Sequence, residues 1–281
     1  MEEDREKKKG IQLLDLPEGC ICHILSLTSP VYVLRSSLVC KLFRSITRSD
    51  LVWEKFLPFD YPQIDRSSTS AKDIVLHLCR SFMLLEGGNK SFALDRWTAK
   101  KCYMLGAREL VIASSNNPHC WRWKPSNESR FPEVAELLGV SQLQISGVIN
   151  TQLLSPNTTY HAYFSFKLRS RSLGFDVCPV KVSISCIDRT GHYLVGQSYN
   201  VSKTFYLKAR ESNTYDFVED DVDAIMHRRD GSPRWVKIDM GKYFNRAGSG
   251  VAVLEMTLTG METGLYKSGL IVHGIELLPL D

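Results

Sequence analysis

Two hydrophobic periods divide the chain, and the change between them limits the folds open to it. Up to residue 57, apolar residues recur every three or four positions, the repeat of a helix face. Leu16, Ile21, Ile24 and Leu25 form one stripe, Val31, Leu34, Leu38 and Val39 a second. Leu42, Phe43 and Ile46, then Leu51, Trp53 and Phe56, carry the pattern on. Beyond about residue 91 the repeat becomes two, which puts alternate side chains on opposite faces of a strand. Tyr160, Ala162, Phe164, Phe166 and Leu168 share one face, as do Val180, Val182, Ile184 and Cys186. Val236, Ile238 and Met240, and Ala252, Leu254, Met256 and Leu258, repeat the pattern; Leu143, Ile145, Gly147 and Ile149 form another such face.

A chain so patterned is multidomain, α and β: a small helical domain over 11–57, a linker and bracing helix over 58–90, and an antiparallel β-sandwich of jelly-roll-like kind over 91–281. Its 281 residues are comfortable for two domains, which run to roughly 100–200 residues each. Ser29-Pro30 reads as a helix start, with Ser as N-cap and Pro in the first turn. Pro17 suits the first turn of the helix before it. The segment "AKDIVLHLCRSFMLLEG" reads as one helix closed by Gly87-Gly88. About 45 residues of short helices bury little core by themselves and are marginal without a partner.

Composition narrows the function. The net charge of +4 is too mild to argue for nucleic acid, and the basic run "REKKKG" shares its tail with Glu2, Glu3 and Asp4. No apolar run approaches the roughly 20 residues that span a bilayer, and no signal peptide is visible, so the expectation is a soluble protein of nucleus and cytoplasm. The eight cysteines are scattered, and Cys20 and Cys22 have no second pair at zinc spacing, so neither metal nor cofactor is expected. The stretch "NNPHCWRWKP" sets His119 beside Cys120, but a nucleophile and its base must meet, and neighbours on an extended chain point apart. No catalytic residue is assigned. Trp121 and Trp123 point the same way on such a strand.

The segment "LPEGCICHILSLTSPVYVLRSSLVCKLFRSITRSDLVWEKF" resembles an F-box, on Leu16-Pro17, Ile24-Leu25-Ser26, Val39-Cys40-Lys41, Phe43-Arg44 and Ser49-Asp50 with Trp53. The resemblance implies docking on the Skp-type linker subunit of a cullin ubiquitin ligase. Leu16, Pro17, Ile24, Leu25, Leu38, Val39 and Trp53 are the candidate anchors, with core filling as the competing role for Leu38 and Trp53.

From about residue 91, "GARELVIASSNNPHCWRWKP", "WVKIDMGKYF" and "LYKSGLIVHGIELLP" resemble the phloem-lectin, or Nictaba-like, family of plants. That likeness implies binding of N-acetylglucosamine oligomers or N-glycans, with an indole stacked on the sugar and carboxylates on its hydroxyls. Carried over, the indole falls on Trp121, with Asn116, Asn117, Glu255 and Glu262 as polar contacts. A second family tryptophan falls on Ser114, and family acids fall on Val253 and Gly260. Three readings stay open: a ligase adaptor for glycoproteins, a lectin with a vestigial F-box, and an adaptor that reads a protein degron.

Overall fold

The computed structural model describes residues 13–59, 69–85, 87–188, 191–193, 202–209, 215–216, 235–248, 250–260 and 264–280. By Cα proximity they form two compact units: residues 1–80 with 96–99, and residues 81–95 with 100–281.

The first unit is helical. Its helices are α1 (Glu18–Ser26), α2 (Pro30–Ser36), α3 (Lys41–Ile46), α4 (Asp50–Trp53) and α5 (Ala71–Arg80). Ser29 caps α2 through its Oγ, which accepts from the Tyr32 amide at 3.3 Å, with Pro30 in the first turn. None of the first four helices is long enough to stand alone in water. They hold because Ile21, Val33, Phe43, Ile46, Val52, Trp53 and Phe56 meet in one apolar core. Trp53 sits fully buried, and its Nε1–H donates to the Thr47 carbonyl at 2.9 Å. Ala71 and Val75 of α5 join this core, so the helix expected as a brace is part of the helical unit.

That helix ends at Arg80, short of the Gly87-Gly88 stop expected from the sequence. Met83 and Leu84 instead pair with Phe92 and Ser91 as a short strand. Gly87 and Gly88, at φ +84° and +69°, make the turn of that hairpin. Glycine supplies positive φ to a helix cap and to a hairpin turn alike, and here pairing partners settle which.

The second unit holds the strands β1 (Met83–Leu84), β2 (Lys90–Leu94), β3 (Lys101–Gly106), β4 (Val111–Ile112), β5 (Trp121–Pro125), β6 (Glu133–Leu137), β7 (Gln144–Asn150) and β8 (Thr158–Leu173). It continues with β9 (Val180–Asp188), β10 (Lys203–Phe205), β11 (Lys208–Ala209), β12 (Tyr215–Asp216), β13 (Val236–Asn245), β14 (Ala252–Gly260) and β15 (Ser268–Pro279). Every strand pair is antiparallel. One sheet of eight is centred on β15, which has β8 and then β13 along one edge. Along the other edge β15 pairs first with β6 at Ile271 and Val272, then with β3 from Gly274 to Leu277. The second sheet runs β10-β9-β14-β7-β4, and β11 and β12 form a separate ribbon.

Gly274 lets β15 change neighbours. At φ +156° its missing Cβ would lie 2.1 Å from the Leu105 carbonyl oxygen, too close for any other residue. The sheets pack face to face over the residues that the alternation marks. Tyr160, Ala162, Phe164 and Phe166 of the large sheet, and Ile184, Cys186, Leu254, Met256 and Leu258 of the small one, are all buried. At Gly147 a Cβ would come within 2.9 Å of Ile275 Cδ1, so the two layers meet where a side chain is lacking.

Candidate binding surfaces

On the helical unit the core leaves several large apolar side chains outside. Leu38 is 77 % exposed and Val39 71 %. Both sit in the turn after α2, where the Leu38 amide donates to Arg35 O and the Val39 amide to Ser36 O. Those bonds fix the backbone and leave the side chains in water. Pro17 is exposed, Ile24 is exposed, and Leu16 is half-buried against the core. Two expected anchors are corrected: Leu25 and Trp53 fill the helical core and offer no surface. A helix stripe lists every apolar residue on a face but not which of them lies innermost. The sequence reading also missed Leu13, Leu14, Leu27, Tyr32 and Leu51, all exposed. The doubled leucine before Leu16-Pro17 is the one local signal that pointed to them. Apolar side chains exposed in such numbers on so small a unit mark a surface that a partner covers.

On the sandwich the loop from Ala113 to Cys120 is tied down by the two indoles that follow it. Trp121 Nε1–H donates to Ala113 O at 3.0 Å, and Trp123 Nε1–H to Ser115 O at 3.4 Å. Inside the loop Asn117 Oδ1 accepts from the His119 amide, and Ser114 takes φ +59°. Trp121 is 2 % exposed, so the indole expected to stack on a sugar has both faces covered, and that expectation is corrected. Even on an edge strand such as β5, a ring on the inward face is buried where it packs into the sandwich. Trp123 is half-buried, with the Arg108 guanidinium 3.7 Å from its ring centroid and that arginine paired to Glu133 at 2.7 Å. Asn116 is exposed.

Glu255 stands half-buried on the outer face of β14, between Ser185 of β9 and Val148 of β7. Along that face follow Thr257, whose hydroxyl lies 2.7 Å from that of Ser183, and then Thr259. Val253, at the other end, faces Asn150 and Ile187. The result is a strip of hydroxyls around one carboxylate, with no aromatic ring among the described residues that form it. Ala113 bonds to Gln144, and Glu255 pairs with Val148 four residues further along β7. At about 3.4 Å per residue, Ala113, where the loop with Asn116 and Asn117 begins, is offset by about 14 Å along the strand direction from Glu255. Glu262 lies outside the described residues.

The outer face of the large sheet carries groups that no sequence motif announced. His273 is buried, 3.1 Å from Ser165 Oγ through Nδ1, and Trp235 stacks on it at 4.3 Å. Burial, with Arg130 nearby, pushes its pKa down to about 3. Ser165 and His273 resemble a nucleophile and base, but both are buried, and Ser165 meets the nitrogen while Nε2 has no hydrogen-bond partner among the described residues. Glu276, also buried, pairs with Arg130 at 3.2 Å and with Lys237. Among the described residues no three His, Cys, Asp or Glu side chains could share a metal ion, and no helix is long and apolar enough to cross a membrane.

A sequence model of the family described as Phloem protein 2 matches residues 100–279, more than half of the chain. The chain belongs to the phloem protein 2 family. A model of the F-box domain matches residues 13–55 of this phloem protein 2 chain, the span of α1 to α4. Among its relatives in Arabidopsis thaliana, Putative F-box protein PP2-B12 is 38 % identical over 275 residues, which cover 96 % of this chain and 99 % of that one. Putative F-box protein PP2-B8 is 35 % identical over 287 residues, 98 % of this chain and 90 % of that one. F-box protein VBF is 35 % identical over 283 residues, 95 % and 99 % of the two chains. Among solved structures, the CBM22-1 xylan-binding domain of Paenibacillus barcinonensis Xyn10C is 12 % identical, covering 63 % of this chain and 88 % of its own at a TM-score of 0.29. In this F-box phloem protein 2 chain, α5 and residues 96–99 extend the helical unit beyond the F-box match.

Proposed function

We propose that the chain is a substrate-recognition adaptor of an SCF-type cullin ubiquitin ligase, working in nucleus and cytoplasm as a binding protein and not as a catalyst. Its F-box docks on the Skp-type subunit, and its sandwich takes up the target. The observation that carries this reading is the exposed pair Leu38 and Val39, held in a fixed turn of an F-box whose core is already filled by other residues. Interface hot spots are apolar side chains a partner can desolvate completely, on a frame that needs no rearrangement. Pro17 and Ile24 extend the same kind of surface.

For the target, the family reading is a glycoprotein that bears N-acetylglucosamine units. The hydroxyl strip around Glu255 supports it, since sugars are held by convergent carboxylates, amides and hydroxyls. No aromatic ring stands among the described residues of that strip, which favours a shallow site. Co-purification of the full chain with a plant Skp-type subunit tests the adaptor reading. Wild-type protein is expected to bind; failure of the wild type to do so overturns it. A glycan array on the same protein separates sugar from protein targets, and a blank array removes the sugar.

A further inference from the structure

A second surface of the sandwich stands apart from the Glu255 strip. At the far end of β8, Leu168 pairs with Leu270 and Leu173 pairs with Ser268, so the four residues between them on β8 face Gly269 alone. Gly269, at φ +84°, has Ser172 Cα 2.9 Å from where a Cβ would stand, which leaves room for the bulge and for no side chain. The bulge pushes Arg169, Ser170 and Arg171 outward. Together with Ser268, Gly269 and Glu136 they line a cleft of about 510 Å³. Bulges re-aim side chains in this way beside binding sites.

The floor of the cleft is charged and braced. Glu136 is 1 % exposed, yet Arg122 donates to its Oε2 at 2.8 Å, Arg169 to its Oε1 at 2.5 Å, and Lys124 stands 3.7 Å away. Burial alone would raise the pKa of Glu136; the hydrogen bond from Arg122 and the charges of Lys124, Arg169 and Arg122 together pull it below the usual carboxylate value. One ionised carboxylate thus faces three cations, and Arg171, exposed, adds a fourth with no carboxylate partner among the described residues. The side chains of Arg122 and Arg169 remain 55 % and 56 % exposed. Of these two, Arg169 lines the cleft; its guanidinium is held by Glu136, so little rotamer freedom is left to lose on binding.

We propose that this cleft binds a phosphate monoester. Such a group carries close to two negative charges at pH 7 and three strong acceptor oxygens, which match an excess of forked arginine donors flanked by serine hydroxyls. A single carboxylate would leave most of the positive charge unmatched. The site is independent of the adaptor reading, because neither Skp docking nor glycan binding involves these residues.

Calorimetric titration of the full chain with inorganic phosphate, O-phosphoserine and glucosamine 6-phosphate tests it. The phosphate monoesters are expected to bind, with serine and glucosamine at least tenfold weaker. Arg171→Gln is expected to weaken the esters at least tenfold and to keep the wild-type urea midpoint, because that side chain holds nothing in the fold. Lys242→Gln, exposed on β13, is expected to bind as the wild type does. Affinity for the two esters is expected to rise from pH 5 to 7 as each loses its second proton, near pH 6, while Glu136 stays ionised throughout. Whichever ester binds more tightly identifies the carrier, a phosphorylated side chain or a phosphosugar. No binding of any phosphate compound, or unchanged binding by folded Arg171→Gln, overturns the proposal.

Discussion

The Nε1–H of Trp121 donates to the carbonyl oxygen of Ala113 at 3.0 Å, so the ring beside the Ala113–Cys120 loop is the ring that holds the loop in place. Trp121→Ala is therefore expected to act first on stability. Truncating a fully buried tryptophan typically costs about 3–5 kcal/mol. A urea unfolding curve of the second unit's strands, followed by circular dichroism, should show the shift. An unshifted midpoint together with lost sugar binding would return Trp121 to the role of a ligand contact.

Leu38 and Val39 invite the opposite experiment. Their side chains contribute little to the fold, so Leu38→Asp and Val39→Asp should change stability by no more than about 0.5 kcal/mol. If they are interface hot spots of about 2 kcal/mol or more each, either change should weaken Skp-subunit binding roughly thirtyfold or further. Surface plasmon resonance against the purified subunit reads this directly.

Trp53 belongs to the interior of the same F-box. Trp53→Ala should remove its packing on Phe56 and its hydrogen bond to Thr47 together. For a unit this small, a loss of about 3–5 kcal/mol is comparable with its whole stability. Hydrogen exchange should then show rapid exchange across residues 18–56 with the sandwich strands still protected.

His273 gives the fold a pH dependence with a defined sign. Its pKa falls to about 3 in the folded protein from 6.5 when free, so the unfolded chain takes up the proton first. The stability that the neutral ring confers is complete above pH 6.5 and declines as the pH falls toward 3. At 1.4 kcal/mol per pH unit the loss is about 2 kcal/mol at pH 5. His273→Gln should abolish that part of the difference between urea midpoints at pH 7 and pH 5. Glu136 and Glu276, both with lowered pKa, add their own loss only below the ordinary carboxylate range.

What could be read in advance follows from the range of the forces involved. Ser29 and Pro30 start α2 through a bond three residues long, so the sequence displays it. The alternation in β9 and β14 is likewise legible, because a two-residue repeat needs no knowledge of the partner strand. Met83 and Leu84 continue a helical pattern in the sequence, yet form a strand through pairing with Phe92 and Ser91, which no local pattern reveals. Among candidate site residues, Pro17, Ile24, Leu38 and Val39 keep the exposure their proposed role needs, while Leu25 and Trp53 lose it to a core that only the helices α1 to α5 together define.

By itself the sequence determined the division into a helical and a stranded part, the helix starts and the inward face of each long strand, all set by spacing of a few residues. Tertiary structure alone decided which apolar residues stay in water, that Trp121 is buried, and that Arg122, Arg169 and Glu136 meet across three different strands. Burial and charge pairing depend on what packs opposite, and that is set by the whole fold.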